Sequence, residues 1–568
     1  MLDFWGRSGP NIGWAQGNFN GYDSNGNGTV DFLDFQKLLD YWNPGGWDFC
    51  NLSLDAGIGM GLSATLTPSN NSGGNGNILV SSTEVGQSGD TFSYAWSVIK
   101  DGLAYDPPGL VTDQQNLQMI AVGGTYTATL TVTDNQTSGA LTTSDTFTVS
   151  PTLDPSFGTG GIVVWKTGGA GVIDVAKATA VQQIDGDTKT VVVGYGTGTN
   201  YQVAVIARFN SDGSIDTTFG DRVDPNDPNN LARTGWTTID LGGASAANAV
   251  SIDASGRIFV GGYTTTSAGK DFLVACYTSD GVLDTSFGSG GEMVTDFNGY
   301  DDVVNSLAIQ AANSTTQTPE EVIAGGYATW TDGYSTSMAV AEYTYSNQTT
   351  PVFETAVTYG SDEACSVGLQ SDGKIVLGGP DGGDGILLER FTTSGGLDTT
   401  FGDPNYYPGV SDVSFGMATS GTPFSMVIEG NDKILVAGTY WSLSGGNQFM
   451  VARFDPDGSL DDTFGAVSGS VRTGMQFVGA QDSGMCMAME VDGSILVAGA
   501  LSHHGFAFDQ FSSQGDLTSQ YSDPTLHSFV YPYDKGYSVA VEPDGSIFIA
   551  GSNGSYFVLA RFVFQLTV

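Results

Sequence analysis

The chain has 568 residues, 61 of them acidic and 18 basic, for a net charge of −43 at pH 7. Such an excess repels nucleic acid and anionic membrane surfaces, and the length calls for more than one domain. The 81 glycines are interleaved with 11% aromatic residues, which excludes a disordered or collagen-like chain. No apolar run reaches transmembrane length and no export signal is visible.

The first recognisable unit runs from Asp23 to Asp34 (DSNGNGTVDFLD). Side-chain oxygens of Asp23, Asn25, Asn27, Asp31 and Asp34 fall at positions 1, 3, 5, 9 and 12 of a calcium loop, with Gly28 at the sharp turn and the Thr29 carbonyl at position 7. Ca2+ takes about 6–8 hard oxygens, and this spacing folds them around one point. Phe32, Phe35, Leu38, Leu39 and Trp42 recur at helical spacing until Pro44-Gly45-Gly46, predicting a short helix. Asp34 stands where EF-hands carry Glu, and in this the loop resembles the dockerin family. Met1-Leu2-Asp3-Phe4-Trp5-Gly6 resembles Leu38-Leu39-Asp40-Tyr41-Trp42-Asn43. Dockerins are built from two tandem loop–helix halves. The resemblance therefore implies that residues 1–6 are the tail of a first half and that the N-terminus is truncated. Dockerins bind a cohesin through loop positions 10 and 11. Here these are Phe32 and Leu33, an apolar pair that suits packing on the next domain better than a cohesin-like partner.

Residues 51–151 alternate apolar and polar side chains between turn signals, predicting an all-β sandwich. Phe92-Ser93-Tyr94-Ala95-Trp96-Ser97-Val98 and Gly124-Thr125-Tyr126-Thr127-Ala128-Thr129-Leu130-Thr131-Val132-Thr133-Asp134 supply two strands. The pair resembles the PKD (polycystic kidney disease) Ig-like family, which implies a spacer with Trp96 as its core aromatic.

From residue 152 a degenerate repeat takes over. LDPSFG at 153–158 returns as IDTTFG at 215–220, LDTSFG at 283–288, LDTTFG at 397–402 and LDDTFG at 460–465. Between copies lie seven phrases in which a strand, a turn (often Asp-Gly) and a fully apolar strand follow one another: 178–194, 249–262, 306–326, 366–379, 425–438, 487–499 and 538–551. A third strand often ends in Arg-Phe, at 208–209, 390–391, 453–454 and 561–562. Repeats of this length and strand content mark a propeller or solenoid. The phrases resemble the delta-60 repeat family over the whole segment; 351–355 and 517–521 depart from it, so irregular blade edges are expected there. The last unit lacks an L-D-x-x-F-G phrase and the first phrase precedes any complete unit, so the N-terminal strand is expected to complete the final blade and close the ring.

Candidate chemistry is sparse. Cys50, Cys276, Cys365 and Cys486 show no metal or redox spacing, and the last three read as buried thiols. His503 and His504 lack a third ligand; His527 stands apart. Carboxylates are abundant, but no acid pair stands out as a glycosidase site. The loops 221–230 and 380–385 are acidic enough to hold a cation, though solvated loops explain them as well. The recurring Asp216, Asp284, Asp398 and Asp461 read as structural, because one active site does not need a copy per repeat. Trp165, Trp236, Trp330, Tyr334, Tyr406, Tyr407, Trp441 and Tyr531 could stack on sugar rings if they share a face.

The expected architecture is mainly all-β: a seven-bladed β-propeller at 152–568, preceded by an Ig-like β-sandwich at 51–151 and a small α-helical calcium-loop module at 1–50. The expected role is a secreted or cell-surface, non-enzymatic binding or scaffold protein for polysaccharide or a surface protein. A propeller enzyme acting on extracellular polysaccharide and a structural envelope or matrix protein are the alternatives.

Overall fold

The computed structural model describes most of the chain between residues 63 and 567. Residues 1–62 and a set of connecting segments, the longest at 345–354, 415–424 and 523–534, lie outside the described residues, and with them the expected calcium loop and its helix. By internal contacts the chain forms a smaller unit, 1–65 with 83–90, and a larger one, 66–82 with 91–568. The account below concerns the larger. Among the described residues every regular element is a β-strand, and no helix is long and apolar enough to cross a membrane.

Two sheets form between residues 66 and 153. In one, Asn77–Val85 pairs with Leu117–Ile120. In the other, Phe92–Lys100, Gly124–Asp134 and Ala140–Leu153 lie side by side. Within Gly124–Asp134, Tyr126, Ala128, Leu130 and Val132 are buried while the residues between them are partly exposed, the period-two pattern of a strand with one covered face. Trp96 is buried, and its Nε1 donates to the Gln114 carbonyl at 2.8 Å, which gives the indole N–H the acceptor it needs. Ala140–Leu153 continues past residue 151, where the sequence suggested a boundary, and its end pairs with Phe557–Thr567 from Leu153↔Phe562 to Thr148↔Thr567. The sheet of the second module therefore runs on into the C-terminal strands. A buried ion pair links the same sheet to the turn within 482–522: Lys100 Nζ lies 2.7 Å from Asp492 Oδ2 and donates to Ser494 Oγ at 3.0 Å.

Four-stranded antiparallel sheets then follow in chain order, spanning 174–239, 245–295, 302–357, 366–414, 425–478 and 482–522. Lys535–Val541, Ile547–Ser552 and Phe557–Thr567 make a further sheet, which Ile162–Trp165 joins from the other end of the segment. The local cause repeats. At Asp372-Gly373 the glycine holds φ +83°, a conformation that glycine adopts without strain, and the chain turns into Ile375–Pro380. Residues 375–379 of that strand are buried throughout, as expected where sheets cover both faces.

Apolar clusters bridge neighbouring sheets in sequence. Val191 and Ile206 meet Ile258 and Leu273; Phe259 and Phe272 meet Val304 and Val322; Ile323 meets Leu377; Val376 meets Val436; Leu435 meets Val497. The Phe508 and Phe562 rings pack 5.2 Å apart, and Phe548 and Leu559 return to Ala176 and Val205 of the 174–239 sheet. Hydrogen bonds cross the same junction, Thr179 N to Ser538 Oγ at 3.0 Å and Asp174 N to the Ser555 carbonyl at 3.1 Å. The 517–521 stretch, expected to be irregular, forms the strand Leu517–Ser522 with one register shift against Phe506–Phe511.

The two repeated phrases are halves of one clasp. Arg208 Nε donates to Asp216 Oδ2 at 2.8 Å, while Asp216 Oδ1 accepts the amide and hydroxyl of Thr218. Arg390, Asp398 and Thr400 repeat this, as do Arg453, Asp461 and Thr463. Each guanidinium also lies over the phrase's buried Phe: Phe219 at 4.5 Å, Phe401 at 4.7 Å and Phe464 at 4.5 Å. Across the ends, Arg561 NH1 reaches Asp154 Oδ2 at 2.5 Å, so the first phrase completes the last Arg-Phe.

Candidate functional site

Of the aromatic residues that the sequence offered for sugar stacking, the structure brings Trp165 and Trp236 together and places the other described ones on or beside other sheets. Trp165 is half-buried against Phe209, Trp236 and Phe557. Trp330 donates its indole N–H to Ser337 Oγ, and Tyr407 packs against the cluster between the 302–357 and 366–414 sheets. Tyr334 stands 90% exposed. Trp441 lies on Ile434–Ser442 opposite Asn447. Tyr406, Tyr531, His503, His504 and His527 lie outside the described residues, as do the proposed calcium ligands Asp23, Asn25, Asn27, Thr29, Asp31 and Asp34. In the two acidic loops, Asp221 accepts the Thr237 hydroxyl at 3.0 Å and Asp381 accepts the Gly385 amide at 3.0 Å. Cys276 and Cys486 are buried as expected, whereas Cys365 is half-buried.

A feature the sequence reading missed lies at the junction of the 245–295 and 302–357 sheets. Asp271 is the second residue of Lys270–Tyr277, Asp296 follows Glu292–Thr295, and Asp302 opens Asp302–Gln310. Three different strands thus deliver carboxylates to one place, where a carboxylate oxygen from each lies within 4.8 Å of the others. Asp302 is fully buried; its Oδ2 accepts the Phe297 amide at 2.8 Å and its Oδ1 the Thr329 amide at 3.3 Å. Asp296 is exposed and accepts the Gly299 amide at 2.6 Å. Asp271 is 4% exposed, and its Oδ1 has no hydrogen-bond partner. Burial, with Asp296 and Asp271 adding repulsion, pushes the Asp302 carboxyl up to about 7, although two amides pull it down. Burial likewise raises Asp271, with Asp296 and Asp301 adding to it. Lys270 sits beside Asp301, its amide donating to Oδ1 at 3.0 Å and its Nζ lying 3.5 Å from Oδ2. The sequence signal was present in Asp296-Phe297-Asn298-Gly299-Tyr300-Asp301-Asp302, but Asp271 lies far upstream and only the fold brings it in.

A cleft of about 520 Å3 opens between the 425–478 and 482–522 sheets, lined by Glu429, Asn431, Arg453, Thr463, Met489 and Gln514 among others. Glu429 and Arg453, which line it, belong to a clasp in which one residue differs. Gln182 and Gln370 accept Arg208 and Arg390 through Oε1, while their Nε2 donates to carbonyls of the next repeat. Glu429 occupies the corresponding place and has no N–H to donate. Its Oε2 is buried without a partner, and burial raises its carboxyl despite Arg453 and Lys433.

A sequence profile described as a domain of unknown function (DUF5122) β-propeller matches residues 186–219, 254–287, 370–401 and 429–464. Each match runs from the turn before a buried strand (Asp-Gly at 185–186 and 372–373) through the Arg-Phe strand or its equivalent to the L-D-x-x-F-G phrase. No curated protein matches the chain. Among solved structures, the WD40 β-propeller domain of Doa1 is similar at 13% identity and a TM-score of 0.38, over 70% of this chain and 95% of that one. A glucose dehydrogenase is similar at 13% identity and 0.35, over 55% and 95%. Sqt1 from Chaetomium thermophilum is similar at 11% identity and 0.39, over 67% and 80%. None of these likenesses bears on the chemistry of the chain. The matched repeats and the succession of four-stranded sheets make it a β-propeller protein.

Proposed function

We propose that the protein is a secreted or cell-surface, non-catalytic scaffold whose seven-bladed propeller of delta-60 repeats binds an extracellular partner. A PKD-like module of 51–151 acts as its rigid spacer. A dockerin-like half-module at 1–50 holds Ca2+ through Asp23, Asn25, Asn27, Asp31 and Asp34 and through the Thr29 carbonyl. The observation that carries this reading is how the few basic residues are used. Arg208, Arg390, Arg453, Arg561 and Lys100 are buried in ion pairs with buried acids, so those charges cancel inside and the net charge of −43 is carried by the rest of the chain. A surface of that kind stays dispersed in salt and repels polyanions. The fitting ligand is a neutral polysaccharide or a basic protein surface. Asp216, Asp398 and Asp461 are engaged by Arg208, Arg390 and Arg453 in tying a strand to its turn and are not free for acid–base work. A glycan array combined with a reducing-sugar release assay tests the reading. Saturable binding without turnover is the expected outcome. Turnover that disappears on substituting a carboxylate would replace the reading with a polysaccharide-cleaving propeller.

A further inference from the structure

We propose that Asp271, Asp296 and Asp302 form a second, independent Ca2+ site that ties one propeller sheet to the next. Oxygens of the three carboxylates lie within 4.8 Å of one another, a spacing that a single cation bridges. The second observation concerns hydrogen bonding. Asp271 is 4% exposed, yet its Oδ1 has no partner. A buried carboxylate oxygen without a donor is costly, and a cation satisfies it. Lys270, next to Asp271 in the chain, is drawn to Asp301, and among the described residues Asp271, Asp296 and Asp302 have no ion pair.

The donors are hard oxygens with neither His nor Cys among them, which selects Ca2+, Mg2+ or Mn2+ over Zn2+. Backbone amides already hold Asp296 and Asp302 in place, so the cation would meet an arranged set of ligands, with water completing its shell on the exposed Asp296 side. Ca2+ is the choice within that group because it tolerates irregular geometry, whereas Mg2+ demands a near-octahedral shell. The cation would pin Lys270–Tyr277 and the 296–302 connection together, and with them the entry into Asp302–Gln310.

The test is Ca2+ titration calorimetry and thermal unfolding on the full chain, comparing wild type with D271N, D296N and D23A. D296N alters an exposed side chain and leaves the folded chain available for measurement if the buried variant does not fold. The expected result is that D271N and D296N each bind one Ca2+ fewer than wild type and that D23A retains that ion. In chelator, D296N should melt no lower than wild type, because a repulsive charge has gone, while in Ca2+ it should melt lower. A purely structural role for these acids would not produce that reversal. Loss of all Ca2+ binding in D23A, or a D296N variant with wild-type stoichiometry and the same Ca2+-induced melting shift, would overturn the proposal. Retained binding in D23A, with one ion lost in D296N, would support this site even if the N-terminal loop proves inert.

Discussion

Replacing Asp398 by Asn breaks one blade clasp without changing side-chain volume. Burial alone would raise this carboxyl, but the Thr400 hydroxyl and amide, Arg390 and Lys374 together outweigh it and hold it at about 2, against an ordinary 3.8. At ~1.4 kcal/mol per unit, that preference for the ionised form stabilises the folded state by about 2 kcal/mol at neutral pH. The residue is 6% exposed, so solvent screening removes little of it. The depressed value fixes the direction. The contribution is complete above pH ~4, falls to about 1 kcal/mol near pH 3, and is lost as pH drops through the folded value. Urea unfolding of wild type and D398N from pH 7 to pH 3 should therefore show a gap of at least ~2 kcal/mol that narrows towards acid. Subtracting the variant removes the titration of the other acids, which both proteins share. A gap below ~0.5 kcal/mol at pH 7, or one that stays constant down to pH 3, would refute the clasp as an ionic device.

Gly402→Ala should be among the more damaging single-methyl changes, costing about 1–3 kcal/mol in thermal unfolding, because Gly402 holds φ +73° and a Cβ there would overlap the Val410 carbonyl. Arg561→Met removes the shared partner of Asp154 and Glu542 and should cost roughly 3–5 kcal/mol in denaturant unfolding. Because Asp154 belongs to the opposite end of the segment, limited proteolysis of that variant should begin near residues 154–166; unchanged cleavage would count against closure through this contact. Burial pushes the Cys276 thiol up to about 12 and raises Cys486 further, so neither should react with a disulfide reagent at pH 8 until the protein is unfolded. Labelling of either in the native protein, read by peptide mass, would contradict their burial.

The repeat was legible because its chemistry is local. In L-D-x-x-F-G, the Asp caps its own turn two residues on, the Phe enters the core, and the Gly takes a left-handed conformation, as Asp216, Phe219 and Gly220 show. The Arg-Phe phrase was equally visible, but its bond to Asp216 was not, since nothing in spacing alone says that a strand end and a turn eight residues later face each other. Departures from the pattern were harder to read. Cys276 stands where other repeats carry Arg, and Arg257 comes from a different position to meet Asp253 at 2.5 Å and Glu320 at 2.5 Å. The Asp271, Asp296 and Asp302 cluster was illegible for a related reason. Asp271 and Asp302 are 31 residues apart and belong to different sheets, so their approach is a property of how sheets stack and not of any motif. Pairing of the segment's two ends was expected, but not that one strand, Ala140–Leu153, would run unbroken through the expected boundary at 151 to make it, since neither a turn signal nor its absence there was decisive.

The distribution of charge joins these observations. In three sheets the third strand is tied to the turn that follows by an arginine on a buried carboxylate beside a Phe ring. Each clasp removes one cation and one acid from the surface together, so the net charge of −43 is carried by the rest of the chain. A net charge of that size is self-repulsive, and bound cations are a direct way to relieve it. Where sheets meet at Asp271, Asp296 and Asp302, that need becomes local: two buried carboxylates and a third lie within 4.8 Å of one another, with no ion pair to any of them among the described residues. The repeats at 208, 390, 453 and 561 solved the same electrostatic problem with a side chain; at this junction the remaining solution is an ion from solution.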